Sequence, residues 1–343
     1  MNNKRYGART VRFSAPPLVW AAGSVVGDME GNGPLGTAFD IVVKDDTWGE
    51  ASWERAECKM FEHAVRLALE KAELETEMLQ CLLGGDLLNQ LVTSNYAARQ
   101  LGVPFLGLYG ACSTMAQSML IGAMMLDGGF AEQVACAASS HFATAERQYR
   151  FPLEMGTVAQ PTSQRTVTGA GAVVLGAGHL LPPKGYFQVR VTGGTIGRVI
   201  DWGITDSANM GAAMAPAAAD TIATHLRDTE TSTDDFDCII TGDLGKFGSQ
   251  MLQELCRDAQ IDLAGKHLDC GMLVFSEAQR VNCGGSGCGC SAVVLAGHLL
   301  PGMLREKQNR LLFVATGALM SPTTSQQGES IPGIAHAVVL ERE

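Results

Sequence analysis

The chain has 343 residues, 46% of them hydrophobic and 6% aromatic, so it can bury a large core, and its length suits two or three units of about 150 residues each. A net charge of −11 without any Lys/Arg cluster excludes a nucleic-acid binder. Ten scattered cysteines, lacking framework spacing in a chain too large to need staples, indicate a reducing compartment.

In chain order, Lys4, Arg5, Arg9 and Arg12 ahead of Leu18–Val26 imitate a secretory signal. Pro16-Pro17 interrupts the approach and no small-residue cleavage pattern follows, so residues 18–26 read as a buried first strand and no signal peptide is expected. No unbroken apolar run reaches the roughly 18 to 20 residues of a membrane span, so a soluble protein is expected, held at a membrane only by a partner. An amphipathic helix from Ser52 to Ala72 leads to a strand at 79–84, a helix from Thr93 to Leu101 and a strand at 103–109.

Gly110-Ala-Cys112-Ser-Thr114 then precedes Met115–Leu126, a small and apolar run too long for one strand and read as a buried helix. Cys112 thus stands at a strand-to-helix junction, where free N–H groups and the helix dipole favour a thiolate. The competing reading of any free cysteine is a small core hydrophobe. Strands follow near 133–138 and 170–176. Later come a helix from Ala212 to Arg227, with Pro216 tolerable in its opening turn, a strand at 236–241, a helix at 248–259 and closing Gly-rich strand ends. Strands alternating with helices make an α/β protein with mostly parallel buried sheets.

Two internal repeats organise these elements. Thr76-Glu-Met-Leu-Gln-Cys81-Leu-Leu-Gly-Gly-Asp86-Leu matches Thr233-Asp-Asp-Phe-Asp-Cys238-Ile-Ile-Thr-Gly-Asp243-Leu at a constant offset of 157. Ala172-Val-Val-Leu-Gly-Ala-Gly-His-Leu-Leu-Pro182 recurs as Ala292-Val-Val-Leu-Ala-Gly-His-Leu-Leu-Pro301. The chain therefore reads as two copies of one unit, 1–187 and 188–343. On this pairing Asp86 to Ala172 spans 86 positions and Asp243 to Ala292 spans 49, an excess of 37 around 130–167 in the first copy. That stretch carries Ser139-Ser140-His141 and Arg147-Gln-Tyr-Arg150-Phe-Pro152, and an insertion of this size suits a pocket wall, a lid or a dimer contact.

Other signals are weak. Cys283, Cys288 and Cys290 lack a second group at matching spacing, so no metal is expected. Gly193, Gly194 and Gly197 precede no helix and make no dinucleotide fingerprint. His179 and His298 sit at matched positions of the second repeat and read as structural, whereas His141 ends a strand beside the insertion and is open to either role.

Two fused halves with Gly-Ala-Cys at a helix start resemble the thiolase fold, a layered α-β-α-β-α arrangement, and especially its ketoacyl-carrier-protein synthase III branch, which Thr166-Val-Thr-Gly-Ala-Gly-Ala172 also resembles. Tyr109–Ala116, Ala143-Thr-Ala-Glu-Arg-Gln148, Ile239–Lys246, Gly284-Gly-Ser-Gly-Cys288 and Glu329–His336 resemble the stage V sporulation AD family, from about residue 16 to the C-terminus. In catalytic members of the fold a cysteine carries the acyl group while paired His and Asn donors hold the developing oxyanion. Here the first donor position reads Thr241-Gly-Asp243 and the closing turn Cys283-Gly-Gly-Ser286-Gly-Cys288, with neither His nor Asn. A carboxylate there repels an enolate by about 1 to 4 kcal/mol at about 4 Å.

The resemblance therefore implies a non-enzyme that binds dipicolinic acid, pyridine-2,6-dicarboxylate, and takes part in its movement into spores and out again at germination. It also implies a place at the spore inner membrane with other stage V sporulation A membrane proteins. A small planar dianion suits a helix N-terminus. The candidate ligand-binding residues are Cys112, Ser113, Ser140, His141, Lys246 and Ser286. Asp243 is awkward beside a dianion unless Lys246, a protonated carboxyl or Ca²⁺, arriving as the dipicolinate chelate, offsets it. The alternatives are an acyltransferase or condensing enzyme using Cys112 with His141 as base, and a structural adaptor. A homodimer is expected through Val134–Ser139 as an exposed strand edge.

Overall fold

The computed structural model describes residues 4–149, 159–305 and 308–343. After β1 (Thr10–Arg12), the first half runs β2 (Leu18–Val26), α1 (Trp53–Lys71), β3 (Cys81–Gly85), α2 (Val92–Leu101), β4 (Phe105–Gly107), α3 (Thr114–Asp127), β5 (Gln133–Ser140), α4 (Phe142–Tyr149), β6 (Arg165–Thr166) and β7 (Gly169–Gly176). The second half runs β8 (Val189–Thr195), α5 (Met210–Thr229), β9 (Cys238–Thr241), α6 (Gly245–Asp258), β10 (His267–Asp269), β11 (Gly285–Ser286), α7 (Cys288–Val294), β12 (Arg310–Ala318) and β13 (Gly333–Arg342). Beyond α7 the helix continues through a π turn at Leu295–Leu299 into Leu300–Arg305.

Strand order in the first half is β2-β7-β5-β3-β4 and in the second β8-β13-β12-β9-β10, the same arrangement twice. In each, the strand carrying the Cys81 or Cys238 repeat lies parallel to both neighbours, and the remaining pairings are antiparallel. The two runs join through one register pair, Leu18 with Arg190, reinforced by β1 pairing with β8 across the halves. Helices α1 and α2 cover the outer face of the first sheet, α5 and α6 that of the second, and α3 with α7 fills the space between. This is the five-layer arrangement.

Local chemistry explains the main elements. Ser52 caps α1 by accepting from the Arg55 N–H, and Met60, Phe61, Ala64, Val65 and Ala68 form the buried stripe lying on the sheet. Every residue of β2 is buried, as its unbroken apolar composition predicts for an interior strand. Gly171 on β7 permits the closest helix contact: a Cβ there would stand 2.3 Å from the Ala292 carbonyl of α7.

Three expectations are corrected. Ala292–Leu295 lies in the α7 run, not in a strand, so it is no counterpart of Ala172–Leu175 in β7. The true counterpart is Ala337-Val-Val-Leu340 of β13, which occupies the last-strand position of the second half. Asp243 to Ala337 spans 94 positions, so the 37-residue excess disappears. Residues 133–140 of that stretch form core strand β5, with a counterpart in β12, and are no insertion; its Arg150–Pro152 lie outside the described residues. Val134–Ser139 is not an edge either, being paired to β3 on one side and β7 on the other; the outer strand of that sheet is β4. Residues 288–305 are long and apolar enough to cross a membrane, yet 78% of that window is buried between the sheets, as a core helix requires.

Candidate functional site

The turns preceding α3 and α7 meet where the two halves face each other. The first carries Cys112, after Ala111, which adopts a left-handed φ of 48° that a side chain rarely takes without surrounding restraint. The second carries Ser286 and Cys288, and the Cys288 thiol donates to the Ala111 carbonyl at 2.9 Å. Asp243, just past β9, sits between them. Its carboxylate accepts from Ser286 Oγ at 2.9 Å, the Gly287 N–H at 3.0 Å and Thr316 Oγ1 at 2.8 Å, and from the Cys112 thiol.

This setting reverses the expected chemistry of Cys112. The residue lies just outside α3, so the helix dipole does face it, but burial and then the facing Asp243 carboxylate push the thiol well above its ordinary range. The proton stays on sulfur. Burial also pushes Asp243 up, against the hydrogen bonds from Cys112, Thr316, Gly287 and Ser286, which favour its ionised form.

Of the other predicted residues, Ser113, Ser140 and His141 are buried close by but serve the frame. Ser113 Oγ donates to the Gly110 carbonyl at 2.6 Å. Ser140 Oγ donates to the Val167 carbonyl at 2.7 Å and accepts from the Gly289 N–H at 3.0 Å, tying β5 to α7. His141 has both ring nitrogens engaged: Nδ1 accepts from the Ala143 N–H at 3.2 Å, which leaves Nε2 as the donor to the Asp46 carbonyl at 2.8 Å. Burial lowers its pKa and keeps this neutral tautomer, so no nitrogen is left to act as base or anion donor.

Lys246 is not brought to the site. Its ammonium pairs with Glu277 at 2.9 Å in the open, with about half of its side chain exposed. The reason is the face that α6 buries: Gly248 and Ser249 turn inward, with a Cβ on Gly248 standing 2.8 Å from Gly211 Cα of α5, and Lys246 is left at the exposed flank of that face.

Next to Cys112 lies a cavity of about 30 Å³ lined by Leu87, Tyr149, Thr166, Ser286 and Met320 among others. A cavity that takes up a benzene ring measures about 150 Å³, so a pyridine ring with two carboxylates does not fit in it. A second, larger pocket of about 580 Å³ opens outside it and shares Glu146 and Tyr149 with it. Sequence reading did not assign these two residues or Arg165 to a site; the available signals were Glu146 within the quoted Ala143–Gln148 motif and Tyr149 within the quoted 147–152 stretch. Among the described residues no group of His, Cys, Asp or Glu has the arrangement of a metal site.

Duplicated halves, a buried cysteine where α3 begins and the paired turns where the halves face each other define a thiolase-like fold. The same fold is found in the crystal structures of 3-oxoacyl-(acyl-carrier-protein) synthase III from Aquifex aeolicus VF5 (14% identity, 95% of this chain and 99% of that one, TM-score 0.58) and of human mitochondrial 3-ketoacyl-CoA thiolase in complex with CoA (14%, 97% and 99%, TM-score 0.59). The family model Stage V sporulation protein AD matches residues 7–341, and Stage V sporulation protein AD of Bacillus subtilis (strain 168) is 46% identical over 339 residues, 99% of this chain and 98% of that protein. The chain belongs to the Stage V sporulation protein AD family, and its role lies in sporulation.

Proposed function

We propose that this chain is a non-catalytic binding protein for dipicolinate, as the free dianion or its Ca²⁺ chelate, and that it takes part in dipicolinate movement during sporulation and germination. One observation carries the non-catalytic part: the Cys112 thiol at the nucleophile position is hydrogen-bonded to Asp243, which stands with Ser286 where the His and Asn donors of a condensing enzyme are expected. A thiol held this way is a weak nucleophile, because burial and the facing carboxylate both disfavour its thiolate. The family and the fold support the remainder, as does the pocket beside the centre, whose volume lies in the range that encloses small ligands. Partners would be other stage V sporulation A proteins at the spore inner membrane.

Two measurements decide between this reading and the acyltransferase. Calorimetric titration should give saturable heat with dipicolinate or its Ca²⁺ chelate, and intact-mass analysis after incubation with acyl-CoA should show no added acyl mass. An acyl adduct on Cys112 would establish the enzyme; absence of heat with both species would remove dipicolinate.

We further propose a homodimer, with the two-fold contact on β4 in place of Val134–Ser139. This strand ends its sheet, and Leu106 and the neighbouring Tyr109 stand 47% and 44% exposed there. Light scattering at micromolar concentration should return about twice 36.3 kDa; a monomeric mass would reject the contact.

A further inference from the structure

We propose that a small planar dicarboxylate binds in the larger outer pocket, not in the cavity at Cys112, with Arg165 as the cation that recognises a carboxylate and Arg280 at the rim. The identity of that dicarboxylate as dipicolinate rests on the function proposed above; the site itself does not.

The two-residue strand β6 separates the two spaces. It pairs in parallel with β11, Arg165 opposite Gly285 and Thr166 opposite Ser286. Successive side chains on a strand point to opposite faces, and accordingly Thr166 lines the inner cavity while Arg165 lines the outer pocket. The volumes, about 30 Å³ and about 580 Å³, admit a ring with two carboxylates only on the Arg165 side.

Arg165 is built like a binding group in waiting. Its guanidinium lies 3.7 Å from the centroid of the Phe142 ring, which fixes its plane. Stacking occupies a face of the guanidinium and leaves its N–H donors, which lie in the plane, for other partners. Among the described residues Nε is buried with no acceptor. A buried donor without a partner costs free energy that a carboxylate would recover, and the fork of in-plane N–H groups matches a carboxylate in two-point geometry.

The acidic groups around it do not fill that role. Glu30 and Glu146 act on Arg165 through space. Glu30 commits Oε1 to the Thr168 N–H at 2.9 Å, and burial raises it to about 7, so much of its charge is suppressed near neutrality. Asp206 lines the pocket too, with Oδ1 turned to the Ala208 N–H at 2.9 Å. Arg280, exposed in a left-handed turn, adds a second cation to the lining.

The test uses the full chain and three probes: dipicolinate, its Ca²⁺ chelate, and isophthalate, which keeps the two carboxylates but lacks the ring nitrogen. Arg165→Gln should weaken wild-type binding at least roughly tenfold, and bound probe should shield Arg165 from phenylglyoxal, read by peptide mass spectrometry on the wild type. The shielding measurement stands even if the variant fails to fold. Wild-type binding with no shielding of Arg165, or with unchanged affinity in a folded Arg165→Gln, would overturn the site and leave the dipicolinate reading intact. Isophthalate bound and shielding Arg165, with neither dipicolinate species bound, would support the site and overturn that reading. Failure of all three probes to bind would overturn both.

Discussion

Asp243→Ala is expected to destabilise the chain by roughly 3 kcal/mol and lower its melting temperature by roughly 4 °C. The carboxylate is completely enclosed and accepts from Ser286, Gly287, Thr316 and Cys112. Hydroxyls and the thiol can rotate toward other acceptors, but the Gly287 N–H is fixed by the backbone and would remain buried without one. A donor orphaned in this way costs about 1 to 3 kcal/mol, and the hole left by the carboxyl adds a cavity cost. Asp243→Asn keeps the volume but turns an amide nitrogen toward groups that themselves donate, so it should lose part of the same stability. Thermal melts of both variants measure this. If Asp243→Ala melts with or above the wild type, the carboxylate is held at the expense of stability, and its purpose must then be sought in a bound ligand and not in the frame.

Most of the architecture could be read from residues whose neighbours leave few options. Ser52 before an amphipathic run gave the start of α1, and the Cys81 and Cys238 repeat identified the two central strands in register. The Ala-Val-Val-Leu repeat misled because a short apolar run without alternation fits a buried helix as well as a buried strand. Tertiary contacts decide the case: at 172 and 337 the run lies within a sheet, while at 292 small residues let a helix lie on Gly171.

The site was legible to the same degree. Cys112, Asp243 and Ser286 converge because each ends or follows an element fixed by the duplication. Lys246 diverges because the packing of Gly248 against Gly211, which no local pattern announces, sets the face of α6. His141 finds its partners in backbone at residues 46 and 143, and the first of these is distant in sequence. Arg165 gives no local signal, since its value lies in a missing partner and a stacked ring, both created by folding.

Stability should change little between about pH 4.5 and 6.5 and fall by on the order of 2 kcal/mol by pH 8. Two sets of buried groups oppose each other. Burial lowers His225, His267 and His336 to about 4, so the folded chain binds fewer protons than the unfolded one as pH drops; their contribution is complete above about 6.5 and is lost as pH falls toward 4. Burial raises Asp269 to about 6, Glu30 to about 7, and Glu57 together with Asp86 above the ordinary carboxyl range, with Asp86 also acting on Glu57. For these acids the folded chain binds more protons, so their contribution is complete below about 4 and is lost as pH rises through each folded value. Below about 6.5 the three histidines are largely offset by these carboxyls, and stability changes little with pH. Above it they no longer titrate, while Glu30 and Glu57 continue to release protons into an enclosed setting, and stability declines. Glu57→Gln isolates the alkaline limb: it removes the ionisation and keeps a polar group for Ser139 and Thr144, which now donate to Glu57 at 3.0 and 2.9 Å. Denaturant midpoints from pH 5 to pH 8 should show the decline in the wild type and a flatter limb in the variant. A wild-type limb that is flat, or one that Glu57→Gln leaves unchanged, would mean that these carboxyls stay ionised within the fold at the pH where burial is argued to neutralise them.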